Sequence, residues 1–429
     1  MPLNKMKNLF FCRNKKGMAL IMVLSTIVFI IVLLQETVFE TQIEYRSAIS
    51  ELNSLRAYYA AKSGMEINLL RLKAYQSLID QYGEQLSTVQ SYVDLVWKFP
   101  FEWPPILPEE SNSTDIEKVQ SIKDRSFMKS EFSTNIEPVA GRIDINDLAS
   151  PAPSLRTWTF QTLYRLIILL RANNKKLEED LSEQDIVDIL HNIKDWVDPD
   201  SQRAEQVGVF ENSMYETNNL PPNRSFISPE ELLQVKDMTA SLYDALKPFI
   251  TVYGEKGLNI NAAPVELLQA LHDEFPLELA QEIVELTHNS IEPTIFTKEL
   301  FEGFLEERGF SNIKESLFSS PMNEGESKQI PSIIYFDAPR NFYMESTGRY
   351  GKSQKSIRAI YFDVNFSMAR FNQIIREDIK NKEVSIREEL TGQSSPATTN
   401  TNERGEADRP SAPFQKKLKP IIIYWKENF

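Results

Sequence analysis

Nineteen consecutive uncharged residues, Gly17 to Gln35, follow a leader that holds five Lys/Arg and no acid. At roughly 1.5 Å per helical residue the run measures about 28 Å, enough for the roughly 30 Å hydrocarbon core of a bilayer. Lys15 and Lys16 abut it on one side, and the first charge on the other is Glu36. Basic flanks stay cytoplasmic, so everything downstream is expected across the membrane. A cleaved secretory signal needs a small-residue site after the apolar run, and Val32 to Glu36 offers none. Two readings remain. One is a plain single-pass anchor. The other is a leader cut after Gly17, where a residue without Cβ lets a peptidase hold the backbone extended and close.

Beyond the run the helical signal continues. No proline occurs between Pro2 and Pro100, and the only glycines from Met18 to Phe99 are Gly64 and Gly83. Apolar residues recur near the helical period at Ile49, Leu52, Leu55, Tyr59, Met65, Leu69 and Leu72. One helix of about sixty residues is expected, with residues 18–35 in the bilayer and 36–99 continuing from them. From Pro100 proline and acid mark a connector, and residues 100–150 should hold the first strands, Gly141 to Leu148 among them. Residues 151–325 read as an inserted helical domain, with helices over Leu155–Ala172, Glu178–Trp196 and Ser228–Ile250. Ser228-Pro229-Glu230-Glu231 is a helix-start signal, and Pro264 is another. Residues 326–390 read as sheet, with strands over Ser332–Phe336, Phe342–Gly348 and Ile357–Phe366. Residues 391–412 have the composition of a disordered linker, and 413–429 end in a strand around Ile421–Trp425. The expected fold class is α+β: a long amino-terminal helix packed on an antiparallel sheet, with an inserted all-α domain.

The charge narrows the function. The formal net charge is −14, and without the five leader bases it becomes −19. Such a surface repels phosphate backbones, so no nucleic-acid partner is expected. The single cysteine, Cys12, lies in the leader, and His191, His272 and His288 are not spaced as metal pairs. Neither a G-x-S-x-G nor a G-x-G-x-x-G motif occurs, and Gly351-Lys-Ser353 lacks the glycine a P-loop needs at Ser346. The chain is not expected to be an enzyme.

The leader, the apolar run and the stretch Arg56-Ala-Tyr-Tyr-Ala-Ala-Lys-Ser-Gly-Met-Glu66 resemble general secretion pathway protein K, the largest minor pseudopilin of type II secretion. The resemblance implies cleavage by prepilin peptidase after Gly17 and methylation of the new amino terminus, Met18. It also implies a short cytoplasmic leader, a single pass through the inner membrane and a periplasmic domain. Pilin-like proteins usually carry glutamate at the fifth mature position. Here that position is Met22, as in the K type. A subunit at the end of a filament has no partner for such a charge, which would be costly in lipid. The implied role is therefore to cap the pseudopilus tip, with I- and J-type minor pseudopilins and the major pseudopilin as partners. The alternatives are a minor pilin of a type IV pilus and a single-pass anchored periplasmic binding protein.

One loop bears on metal chemistry. Asp195-Trp-Val-Asp198-Pro-Asp200 closes a predicted helix and opens an acidic stretch reaching Glu211 and Tyr215. Carboxylates so close repel one another unless water or a hard cation separates them. The spacing is not an EF-hand, since Arg203 and Val209 stand at its glycine and glutamate positions. On chemistry alone, a solvated turn and a cation site both remain open. The resemblance implies calcium: Gly208, Glu211 and Tyr215 match the family loop, while Asn212 stands where a second acid is expected. The expected ligands are Asp198, Asp200 and Glu211, with Asp195 a fourth ligand or a cap. Pro229–Met238 and Leu258–Leu268 also resemble the family's helical insertion. They share packing with helix-hairpin-helix modules, but the Gly-x-Gly that grips phosphate is missing.

Overall fold

The computed structural model describes residues 15–82, 86–105, 113–203, 208–216, 220–288, 293–322, 326–329, 333–391 and 419–428. The expected leader up to Asn14 and the expected linker over 392–412 lie outside the described residues.

Helix α1 (Lys15–Tyr82) runs unbroken for 68 residues. From Met18 to Leu52 it is exposed all round. Burial begins at Ala57 and follows one face through Ala61, Met65, Leu69, Leu72, Tyr75 and Ile79, at the helical spacing of three or four residues. Helix α2 (Leu86–Lys98) folds back along it, and Asp94 of α2 accepts a hydrogen bond from Tyr75 Oη at 3.0 Å. Strand β1 (Phe101–Trp103), helix α3 (Ser113–Arg125) and strand β2 (Glu131–Pro138) follow. The expected connector therefore carries a helix of its own, with Ile116 and Ile122 exposed.

The chain then leaves the sheet and returns some two hundred residues later. The excursion begins with β3 (Ile143–Asp144), α4 (Pro153–Asn173), α5 (Lys175–Asp180), α6 (Glu183–Val197), α7 (Ala240–Leu246) and β4 (Ile250–Thr251). It continues through β5 (Leu258–Asn259), α8 (Val265–Gln269), α9 (Leu277–Thr287), α10 (Lys298–Glu307) and α11 (Ser311–Phe318). It closes with the hairpin β6 (Ser319–Met322) and β7 (Glu326–Gln329), then β8 (Ile334–Tyr335). Next come β9 (Phe342–Tyr350), β10 (Ser353–Phe362), α12 (Val364–Thr391) and β11 (Ile421–Asn428). The main sheet is antiparallel throughout, in the order β1-β2-β9-β10-β11. Its inner face meets α1 through Ile136, Phe342, Met344, Ile357 and Ala359, and Tyr75 stands edge-on to Phe342 at 5.5 Å. The fold class is α+β, with the long amino-terminal helix packed on the antiparallel sheet.

Several expectations need correction. The insertion is not all-α: β3 pairs with β4 and β5 with β8, both parallel. Ile334–Tyr335 thus belongs to the insertion and not to the main sheet. Ser228-Pro229 starts only a 3-10 turn, Pro229–Gln234, because the backbone turns left-handed at Asp237 (φ 64°). Thr239 then caps α7, its hydroxyl accepting from Leu242 N at 3.1 Å. The expected strand to Phe366 stops at Phe362, because Asp363 Oδ1 accepts from Asn365 N and Phe366 N (3.1 and 3.2 Å) and starts α12. Residues 364–390, expected as sheet, are helix, and the helix takes in Thr391, expected as the first residue of the linker; Ile374 is buried with Leu155 of α4 and Ile333.

The insertion builds one local arrangement twice. Asp144 accepts from Asn146 N at 3.0 Å, and Asn259 accepts from Asn261 N at 3.0 Å. Asn146 then accepts from Phe226 N (2.8 Å) and donates to Phe226 O and Val252 O (3.3 and 3.0 Å). Asn261 accepts from Phe296 N (2.8 Å) and donates to Phe296 O and Phe336 O (3.0 and 3.2 Å). Helices α6 and α9 match as well, burying Ile189, Leu190, Ile193 and Val197 against Leu279, Ala280, Ile283 and Thr287 at the same spacing. Each helix is closed at its penultimate residue: Arg224 N donates to Trp196 O at 3.1 Å, and Thr294 N donates to Leu286 O at 2.8 Å.

Candidate metal centre

Helix α6 is set from its start by a capping box, in which Ser182 Oγ accepts from Asp185 N and Asp185 accepts from Ser182 N (3.2 and 2.8 Å). Its apolar face turns inward, and its last turn delivers Asp195 and Trp196 to buried positions. Asp198 ends the helix, its N–H donating to Lys194 O at 3.0 Å. The chain then runs out and back. Gln202 bridges to Phe210, Arg203 N donates to Val209 O (3.0 Å), and Glu211 N donates to Ser201 O (3.3 Å). Gly208 takes the left-handed turn at φ 85°.

This return places Glu211 beneath the end of α6, where it is only 3% exposed. One oxygen from each of Asp195, Asp198 and Glu211 lies within 4.8 Å of the others. Both Glu211 carboxylate oxygens and Asp198 Oδ1 are buried without a hydrogen-bond partner. Burial, then the charges of Asp198 and Asp195, push Glu211 up to about 8. Burial, then Asp200 and Asp195, push Asp198 up to about 6. Carboxylate oxygens gathered in this way, those of Glu211 and Asp198 Oδ1 without a partner, could hold a hard divalent cation.

Asp200 does not join the group. It is exposed, and its Oδ1 accepts from Gln202 N at 2.8 Å, making the turn that sends the loop outward. Asp195, by contrast, faces the group. Asn212 lies on the exposed side of a 3-10 turn, Glu211–Met214. Tyr215 packs edge-on to Trp196 at 6.5 Å, and its hydroxyl accepts from Lys236 N at 3.2 Å. Trp196 in turn stacks on Phe226 at 5.5 Å. Sequence reasoning missed Asn223, whose side-chain amide donates to Asp200 O with its own backbone left-handed at φ 48°. The left-handed tolerance of asparagine was the available signal.

A second polar cluster holds the same unit shut. Lys256 Nζ lies 3.0 Å from Asp144 Oδ2 and 2.7 Å from Asp147 Oδ1, and both acids are buried. The two carboxylates hold the ammonium well above its ordinary value. At the other end of the chain, Gly17 lies within α1, and Met18 and Met22 are exposed on it among other apolar side chains. Helix α1 is the one helix among the described residues that is long and apolar enough to cross a membrane.

Residues 141–255 match the family model for type II secretion system protein K. Among solved structures, the crystal structure of the GspK-GspI-GspJ complex from the enterotoxigenic Escherichia coli type 2 secretion system is similar at 17% identity. That alignment covers 76% of this chain and 95% of the other, with a TM-score of 0.46. No curated protein matches. The family match opens at Gly141, just past the point where the chain leaves the sheet, and closes at Glu255, just past β4. What the match shows is confined to residues 141–255, the first half of the insertion, which resemble type II secretion system protein K.

Proposed function

We propose that this chain is a minor pseudopilin that caps the periplasmic pseudopilus and so supports export of folded proteins. Its role is structural and not catalytic. Before assembly α1 holds it in the inner membrane, with the body on the periplasmic side. The observation that carries the reading is α1 itself, bare on all sides from Met18 to Leu52 and buried along one face only from Ala57 onward. Over residues 18–35 it carries no charge on any side, and such a helix has to be covered by lipid or by other helices. The insertion beside the sheet supports the terminal position, since so large a body repeated at every step of a close-packed filament would clash. Met22 supports it too, because the last subunit has no neighbour above to neutralise a carboxylate.

On this reading I- and J-type minor pseudopilins and the major pseudopilin add below it, after prepilin peptidase has freed Met18. Asp195, Asp198 and Glu211 would hold a calcium ion, whose two positive charges would offset the mutual repulsion of the three carboxylates. Sedimentation of the periplasmic part, from about Ser47 onward, with the I and J proteins of the same cell tests the assembly. A complex of defined stoichiometry is expected. Three proteins that sediment independently would overturn the tip reading. A chain that keeps its leader when membranes are treated with prepilin peptidase would be a plain anchor.

A further inference from the structure

The two units of the insertion differ sharply at the connection that follows α6 in one and α9 in the other. Residues 197–223 join Trp196 to Arg224 in the first, and 287–293 join Leu286 to Thr294 in the second. The closing hydrogen bonds are the same, Arg224 N to Trp196 O and Thr294 N to Leu286 O. Two residues later each chain enters the same clamp, Phe226 N on Asn146 and Phe296 N on Asn261. The second connection has seven residues and one acid, Glu292, where the first has twenty-seven residues and five acids.

We infer that the acidic loop is an addition to a scaffold that closes without it, so that an ion there orders the segments that carry Asp198 and Glu211 and leaves the two units otherwise unchanged. The inference rests on the calcium reading for its ion, and on the matched geometry for its separability. Three contacts that hold the first unit together use no residue of the acidic group: the capping box of α6, the clamp on Asn146, and Lys256 between Asp144 and Asp147. The loop itself meets the core through Tyr215 and Leu220, which are partly buried. Glu211, the deeply buried acid among the loop's described residues, has both oxygens unpartnered, so without a cation it favours release of the loop. Because loop-closure entropy grows slowly with length, the scaffold tolerates either connection.

Two measurements on the full chain in detergent test this. In hydrogen-exchange mass spectrometry, calcium in place of EGTA is expected to slow exchange in peptides from 198–222 and in no others. Loss of protection in α6 or around Phe226 and Ile250 on chelation would overturn the inference, because the ion would then hold the unit itself. In a second variant, residues 198–222 are replaced by the sequence of 288–292. It is expected to unfold cooperatively, a few degrees below the parent in EGTA because Tyr215 is gone, and to show no calcium shift. A variant without a cooperative transition would also overturn it. If the parent responds to calcium in neither measurement, the ion reading falls, while a cooperatively folded variant would still uphold the separability of the loop.

Discussion

Gly348 of β9 lies against the backbone of Ala57 in α1, so closely that a Cβ on the glycine would overlap the Ala57 carbonyl oxygen. Helix and sheet touch backbone to backbone there, and Gly64 repeats the close approach from the helix side, against Ser346, Phe132 and Thr134. The obstacles differ: a rigid carbonyl at Gly348, movable side chains at Gly64. Gly348→Ala should therefore cost more than Gly64→Ala, about 2–3 against about 1 kcal/mol on the scale of overpacked cores. Urea unfolding of the periplasmic part measures both, and equal costs would mean that the helix shifts freely on the sheet.

The two asparagine clamps make a matched pair. Asn146→Ala and Asn261→Ala each remove one accepted and two donated hydrogen bonds. Each should lower stability by about 2–4 kcal/mol, since buried amide and carbonyl groups are left unpaired. Chemical denaturation should return similar values for the two. A large cost at only one would show that the units do not depend on the clamp alike.

Lys256→Met should be more damaging than a surface charge change. It leaves Asp144 and Asp147 facing each other in a buried site with no cation between them. Breaking a buried ion pair from one side costs about 3–5 kcal/mol. Replacing Lys256, Asp144 and Asp147 together by Met, Asn and Ala should recover most of that loss. Thermal melts of the two variants decide it.

The acidic group predicts a pH dependence of defined sign. Without an ion, Glu211 stands at about 8 when folded, against an ordinary value of 4.5. A raised carboxyl binds its proton more tightly in the folded state, so its stabilising contribution is complete below the ordinary value and is lost as pH rises through about 8. In EGTA the parent Tm should fall over that window relative to Glu211→Gln, which cannot ionise. Calcium binding should strengthen over the same window and release about one proton per ion near neutral pH. Calorimetry in buffers of different ionisation enthalpy counts that proton. A slope of the opposite sign would mean that Glu211 is ionised and solvated.

Gly17→Val tests the leader. The branched side chain should block close approach of the peptidase and leave the precursor in the membrane. Mass spectrometry of the parent should find a mature chain that begins at methylated Met18. Filaments that contain the uncleaved Gly17→Val protein would exclude prepilin-type processing.

Helix α1 was legible because its hydrogen bonds join residues four apart, so a stretch without proline and with apolar residues throughout specifies it locally. The acidic composition around Asp195 and Glu211 was legible for the same reason: the residue types lie close together in the chain. Tertiary structure alone decided which acids meet. Glu211 joins Asp195 and Asp198 because the loop folds back on α6, while Asp200, nearer in sequence, turns the backbone instead. Pairing of β2 with β9 depends on segments some two hundred residues apart, and no local pattern encodes which strands will be neighbours. Helix α12 escaped notice because Ile374 has its burial partners in α4 and Ile333, not in its own segment. The likeness of Ile143-Asp-Ile-Asn146 to Leu258-Asn-Ile-Asn261 is present in the chain, yet four residues carry little weight alone. It acquires meaning through the carbonyls of Val252 and Phe336, which only folding brings within hydrogen-bond reach of the two asparagines.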